Sequence, residues 1–251
     1  MEKHILIIIF IAITSFSNAQ RNIEIAFKPG VSIPKLTAAG SNNPVSSGYR
    51  TLPYQDAALH VEITANKSLS IQPQLEYSIQ GGKKNGVQAF KTPDITAPQF
   101  APGAVPSFLY ADYKRETRIT YFILPIFIKY HFIPQKNKWR AYIAAGPFAS
   151  YLLNAKNITT GYSMVYLDKE KTQPLGQAPQ SFDNENHISR DFHRFNTGIT
   201  GHLGLGYKIV TGSIFLEVGG NYGFVVIQKN SVNGRNRTGA AVINLGYQYE
   251  L

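Results

Sequence analysis

The sequence predicts an all-β fold: a single eight-stranded antiparallel transmembrane β-barrel with short periplasmic turns and long extracellular loops. Three observations predict it. Eight stretches alternate apolar with polar residues, the connections between them alternate long with short, and a secretion signal precedes them all. The last stretch, AVINLGYQYEL (241–251), is the clearest: Ile243, Leu245, Tyr247, Tyr249 and Leu251 fall on one side of an extended chain, Asn244, Gly246, Gln248 and Glu250 on the other. A soluble sandwich can carry one such strand. Eight in series, with aromatic residues at the ends of the apolar faces and charges on the opposite ones, fit a membrane barrel.

The leader comes first. Lys3 and His4 precede an apolar run from Ile5 to Ile13, and Ser17-Asn18-Ala19 supplies the small residues of a cleavage site. Residues 1–19 are therefore read as a signal peptide cleaved after Ala19, and 20–251 as the barrel domain. No later stretch reaches the length of a membrane helix, since Pro125 and Lys129 interrupt the most apolar one, Tyr121 to Phe132. Any span must be made of strands.

Strand 1 is expected at about 22 to 32, with Ile23, Ile25, Phe27 and Val31 alternating with Glu24, Ala26, Lys28 and Gly30. Strands 2 (about 55 to 64) and 3 (about 68 to 80) form a hairpin around Ala65-Asn66-Lys67. Strands 4 (about 117 to 132) and 5 (about 139 to 153) join through Pro134-Gln135-Lys136-Asn137-Lys138. Strands 6 (about 194 to 209) and 7 (about 213 to 226) meet through Thr211-Gly212, and strand 8 runs from about Gly239 to the end. The connections after strands 2, 4 and 6 are tight and the four others long, as a barrel with both termini in the periplasm requires. Strand 4 is apolar on both faces; the preferred register puts Phe122, Leu124, Ile126 and Ile128 in lipid and Lys129 and His131 inside. Pro29, Pro73, Pro125 and Pro147 lie within predicted strands and are expected near the interfaces or at bulges.

Composition agrees. The 251 residues include 15 Tyr and 15 Phe, favoured in strands and at membrane interfaces, and a mean hydropathy of −0.15 suits a barrel with polar lumen and loops. The absence of cysteine excludes a lipid-anchored lipoprotein, disulfides and thiolate chemistry. A net charge of +10 without a nucleic-acid-binding motif, behind a secretion signal, points to lipid headgroups and lipopolysaccharide rather than nucleic acid as counter-charge.

Five segments carry a family resemblance: IQPQLEYSIQGGKK (71–84), YFILPIFIKYHF (121–132), WRAYIAAGPFASYLL (139–153), SIFLEVGGNYG (213–223) and NLGYQYEL (244–251). The chain resembles the eight-stranded outer-membrane β-barrel proteins of Bacteroidetes, including the PorT-like group, over most of its mature length. That resemblance implies an outer-membrane location; its PorT-like members imply participation in protein secretion and, as partners, secretion-system components. Such barrels close on an aromatic residue read by the assembly machinery. This one closes on Leu251, which leaves Tyr247 and Tyr249 to serve.

The expected lumen-facing set is Glu24, Lys28, His60, Glu62, Gln72, Gln74, Glu76, Lys129, Arg140, His202, Lys208, Glu217, Gln248 and Glu250. Mixed acids and bases in so narrow a barrel read as a salt-bridged plug; the sharper alternative is a proton relay through His60, Glu62 and His202. In the loop after strand 3, Pro98, Pro102 and Pro106 stiffen a segment whose Phe100, Phe108, Leu109, Tyr110 and Tyr113 offer apolar surface for a partner or a lid. Lys229, Arg235 and Arg237 in the last loop are candidate contacts for anionic lipid. His187, Ser189, Asp191 and His193 cluster before strand 6, but histidines at i and i+6 match no metal or triad motif. Gly204 and Gly206 open no helix, so they read as small residues on a crowded lumen face and not as a phosphate loop. Neither cofactor nor metal nor catalysis is expected. The leading function is a non-enzymatic envelope role with loops or rim binding a partner, the alternatives being a narrow passive porin and a rim hydrolase.

Overall fold

A computed structural model describes residues 23–39, 44–94, 96–101, 103–132 and 138–251. The signal segment, Pro102 and the turn at 134–137 lie outside the described residues. Eight long strands form the wall: β1 (Ile23–Pro34), β2 (Tyr54–Thr64), β3 (Leu69–Lys84), β4 (Lys114–His131), β5 (Trp139–Thr160), β6 (Phe195–Ile209), β7 (Gly212–Gly223) and β8 (Gly239–Glu250). Each pairs antiparallel with its sequence neighbours, and β8 pairs with β1 from Glu24↔Glu250 to Pro34↔Ala240, which closes the sheet. Closure removes every edge, the condition for strands to exist in lipid.

Alternation decides which face meets lipid. On β4, Ile126 is 56% exposed and Ile128 66%, while Phe127 between them is 0% exposed, so the strand takes the register that places Lys129 and His131 inside. The outward residues of all eight strands form an apolar band bounded by two aromatic girdles. Tyr130 with Phe132 and Trp139 with Tyr207 mark the turn end, and Tyr77 with Phe122 and Tyr151 with Phe195 the loop end. Exposed to water, each such side chain would forgo about 1.5–3 kcal/mol of burial. Hydrocarbon removes that cost.

The turns follow from local chemistry. Asn66 Oδ1 accepts from the backbone N–H groups of Ser68 (2.9 Å) and Leu69 (3.0 Å), the Asx geometry that makes asparagine a turn residue. Ile209 pairs with Gly212, so the β6–β7 loop is Val210-Thr211, one residue earlier than the sequence suggests.

Three expectations are corrected. Strands β3, β4 and β5 run to Lys84, from Lys114 and to Thr160, well above the upper girdle, because polar residues there continue a ladder that water tolerates. The two longest connections are not irregular. Residues Val87–Lys91, Phe108–Asp112, Tyr162–Tyr166 and Pro174–Ser181 form a second, four-stranded sheet that knits both together. The prolines do not gather at interfaces or bulges. Pro73 stands opposite Ile126 and Pro125 opposite Phe148 at mid-band, and the sole register shift between β4 and β5 among the described residues falls at Thr120/Tyr121. The ladders instead skip pairs beside Pro29, Pro73, Pro125 and Pro147 while keeping register, so each proline forgoes a bond without a register shift.

Candidate functional site: a plugged lumen under a capped mouth

Of the fourteen expected lumen residues, twelve are less than 5% exposed, and Lys208 and Glu250 sit half-buried at the turn end, where Lys208 Nζ lies 2.8 Å from Glu250 Oε2. The lower lumen holds one connected network. Arg140 Nη1 donates to both oxygens of Glu24 (2.8 and 2.9 Å). Gln248 Nε2 donates to Glu24 and to Glu62 Oε2 (2.9 Å), bridging two carboxylates with its one amide. Glu62 also accepts from Lys129 (2.7 Å), whose ammonium lies 3.7 Å from the Tyr142 ring centre, and has His131 Nε2 at 2.8 Å. Contributions from β1, β2, β4, β5 and β8 thus meet across the bore.

A second cluster centres on Glu217 of β7. It is ion-paired with Lys28, accepts from Tyr142 Oη (2.8 Å) and has His202 Nδ1 at 3.3 Å. The relay of His60, Glu62 and His202 does not assemble. Glu62 and His202 belong to different clusters, and both ring nitrogens of His60 are buried without a hydrogen bond while its ring packs 5.8 Å from that of Phe215. The strand 4 register already put His131 inside; sequence reasoning left Tyr142 and Asp56 out of the lumen set, although both fall in phase with inward neighbours. Tyr142 is two residues from Arg140, and Asp56 four from His60.

Gly204 exists to seat that tyrosine. A Cβ there would lie 2.0 Å from Tyr142 Cζ, whereas at Gly206 the nearest atom would be Phe215 Cβ at 3.3 Å. Because the Glu217 bond fixes Tyr142, Gly204→Ala is expected to destabilise the barrel by about 1–3 kcal/mol and Gly206→Ala by less, compared by urea unfolding in lipid vesicles.

Above the polar network lies an apolar layer. Ile119, Tyr121, Ile123, Phe148, Leu152 and Ala155 from the wall pack with Leu36, Phe192 and Ile227, which the loops send inward. The loops are stitched over it. Asn236 Nδ2 donates to Ser46 O (2.8 Å), Gln228 Nε2 to Asn236 Oδ1 (2.9 Å) and Asn196 Nδ2 to Thr238 Oγ1 (3.0 Å). A cavity of about 190 Å³ remains in the mouth, lined among others by Tyr49, Lys91, Arg115, Asp191 and Gln228.

Beside it, far above Tyr77, Lys84 is buried, donates to Val45 O (2.6 Å) and stands 4.3 Å from the Tyr49 ring centre. Burial pushes its pKa down to about 7, and Arg115 adds to the shift. An unfolded lysine keeps its proton to about pH 10.4. Between about pH 7 and 10 the unfolded state therefore binds the extra proton, so the mouth gains stability as pH rises through this window and is least stable below it. Amide exchange around 44–49 and 82–86, corrected for intrinsic rates, is expected to slow with rising pH, and Lys84→Met to flatten that dependence.

The aromatic loop needs correction. Leu109 and Tyr113 are 1% and 4% exposed, and Tyr113 stacks on Phe182 at 4.8 Å, so both are core of the loop sheet; Phe100, Phe108 and Tyr110 keep partial exposure. In the last loop, Lys229 Nζ donates to Arg190 O (3.0 Å) and Arg237 Nε to Phe224 O (3.0 Å), while Arg235 is exposed. At the rim, Ser189 Oγ accepts from Ala155 N (2.8 Å) and donates to Asn154 Oδ1 (3.2 Å). His187 Nδ1 lies 3.4 Å from the same Asn154 oxygen, and His193 engages Ile227 O through its backbone. Among the described residues no hydrogen bond joins Ser189 to either histidine.

Solved structures similar to this chain are outer-membrane barrels. The attachment invasion locus protein Ail of Yersinia pestis is 11% identical, with 90% of this chain and 99% of that chain covered and a TM-score of 0.35. Neisserial surface protein A is 10% identical, with 90% and 97% covered and a TM-score of 0.39. The outer-membrane protease OmpT of Escherichia coli is 12% identical, with 92% and 97% covered and a TM-score of 0.38. At these scores the likenesses carry no functional argument. No curated protein sequence matches the chain. A family profile described as "outer membrane protein beta-barrel domain" matches residues 16–228, which span β1 to β7 and every loop but part of the last. With its closed antiparallel wall and lipid-facing girdles, the chain belongs to the outer membrane protein beta-barrel domain family and is an integral outer-membrane protein.

Proposed function

We propose that this barrel is a non-enzymatic, non-conducting scaffold whose working surface is its extracellular mouth and loop sheet, and that it serves as a PorT-like accessory of protein secretion. The observation that carries the first half is the doubly closed bore, polar below and apolar above. A pore needs a continuous wet path, and an enzyme a nucleophile with its base within reach. The loop sheet supports the second half. Connections this long are ordered here by their own core, Tyr113, Phe182 and Phe90, at a cost in conformational entropy that a mere linker would avoid.

Phe100, Phe108 and Tyr110 are the partner-facing residues in this reading. Arg235, with Lys229 and Arg237, contacts lipopolysaccharide phosphates at the rim, and Tyr247 and Tyr249 mark the closing strand for the assembly machinery. The partner is a component or cargo of the secretion system.

The test is quantitative proteomics of surface and secreted protein in a strain lacking the gene, against its parent at matched growth. Selective loss of exported cargo with retention in the periplasm is expected. An unchanged secretome overturns the secretion role and leaves the closed scaffold to other partners.

A further inference from the structure

Among the described residues, the membrane-spanning lumen contains five buried carboxylates, Glu24, Asp56, Glu62, Glu76 and Glu217, and three buried strong bases, Lys28, Lys129 and Arg140. The bases are taken: Arg140 by Glu24, Lys129 by Glu62 and Lys28 by Glu217. Asp56 and Glu76 are left, and they are treated alike. A neutral amide holds one oxygen of each, Asn244 Nδ2 donating to Asp56 Oδ1 (2.9 Å) and Gln74 Nε2 to Glu76 Oε2 (2.8 Å). The second oxygens, Asp56 Oδ2 and Glu76 Oε1, are buried and accept no hydrogen bond.

Their neighbours share this condition. Ser78 Oγ, Gln80 Oε1 and Tyr121 Oη are also buried without a partner, on residues 0–2% exposed. The register gathers them. Ser78 stands directly opposite Asp56 on one side and Tyr121 on the other, and Glu76 and Gln80 flank it at i−2 and i+2 on the same inward face. Five oxygens without a hydrogen-bond partner, two of them carboxylate oxygens, therefore line one inward-facing quadrant of the bore, between β2, β3 and β4. His60 lies lower on β2, opposite Gln74, with its ring against Phe215. Among the described residues no three His, Asp or Glu side chains group as a metal site, so a ligand set here combines two carboxylates with neutral oxygens.

We propose that this quadrant binds one hard divalent cation, calcium by its donor class. Calcium takes six to eight oxygens and accepts carboxylate, hydroxyl and amide carbonyl together, while the unpartnered ring nitrogens of His60 sit one inward position lower against Phe215 and the chain has no cysteine, so the donors of this quadrant are oxygens, which disfavours transition metals. Its two charges match the two unpaired carboxylates, so the bound ion neutralises a lumen whose uncompensated charges would otherwise be costly in a low-dielectric bore. The ion ties β2, β3 and β4 together at the lower edge of the apolar layer, to which Tyr121 also belongs, and stiffens the part of the barrel that leads into the loop sheet.

The test uses the full chain folded in a non-ionic detergent free of lipopolysaccharide, with calcium or with EGTA. Calcium is expected to raise the thermal unfolding midpoint. Terbium, a calcium surrogate, is expected to show tyrosine-sensitised emission that calcium displaces. Asp56→Asn with Glu76→Gln, which removes charge and keeps shape, is expected to fold, to lose the calcium-dependent shift and to weaken terbium binding at least tenfold. Tyr121→Phe is expected to keep the fold and lose much of the emission. An unfolding midpoint indifferent to calcium overturns the site. So does a calcium shift that survives in the double variant, which would place the ion elsewhere, and so does stabilisation by acid alone, which would mean that the two carboxylates share a proton instead.

Discussion

Glu217→Ala is expected to destabilise the folded barrel by about 3–5 kcal/mol, the range found when one partner of a buried ion pair is removed. Three groups lose their acceptor at once: Lys28, Tyr142 and His202. The lysine is the decisive one. It is 0% exposed, and its contact with the Phe127 ring at 5.9 Å is too weak to compensate an ammonium. Glu217→Gln keeps the shape and one acceptor oxygen, so its loss should be smaller. Lys28→Met combined with Glu217→Leu removes both charges and should recover much of the stability, since a buried pair and a well-packed apolar substitute are often comparable. Trp139, the chain's single tryptophan, packs on Tyr207 in the lower girdle and reports unfolding from vesicles in urea. Unfolding of Glu217→Ala at the parent's urea concentration would mean that the cluster contributes nothing to stability. Recovery in the double variant would locate the damage in the stranded charge.

Period-two alternation made the wall legible because lipid enforces it: every outward position on β8 or β4 must be apolar, and one slip would expose Gln248 or Lys129 to hydrocarbon. The same alternation placed Glu24, Glu62, Lys129 and Arg140 inside, since each lies in phase with polar neighbours on its strand. It did not say who pairs with whom. Glu24 and Arg140 are 116 residues apart and meet across the bore, a contact that depends on barrel closure and on no local pattern. The loop sheet was hidden for a related reason. Segments such as VQAFK and YSMVY are only five residues long, and the pairing that unites them in one sheet, Tyr110↔Tyr166 and Ala111↔Val165, joins two different connections. The buried side chain of Tyr113 was invisible for the same reason, because the Phe182 that covers it lies in the next long loop. Mid-band prolines at 73 and 125 were misplaced because a closed sheet of fixed register can skip a pair without a register shift, a tolerance that an open sheet does not need.

The parent protein is expected to show no single-channel steps in planar bilayers, and the two seals in series predict which variants open it. An ion entering from the periplasm meets the Glu24–Arg140 and Glu62–Lys129 pairs bridged by Gln248; one entering from outside meets the layer of Ile119, Ile123, Phe148 and Leu152. Removing the lower seal with Glu62→Ser and Lys129→Ser admits water to the lower bore but leaves the apolar layer, which excludes ions by remaining dry. Removing the upper seal with Phe148→Ala and Leu152→Ala leaves the bridged pairs in place. Either variant alone should stay silent. The combination should conduct, and should prefer cations, because the uncompensated Asp56 and Glu76 would then line a continuous wet path. Steps from the parent would overturn the closed-bore reading in favour of a narrow porin. Conduction by the lower-seal variant alone would show that the apolar layer is no barrier, and would move the whole burden of closure onto the charges at the turn end.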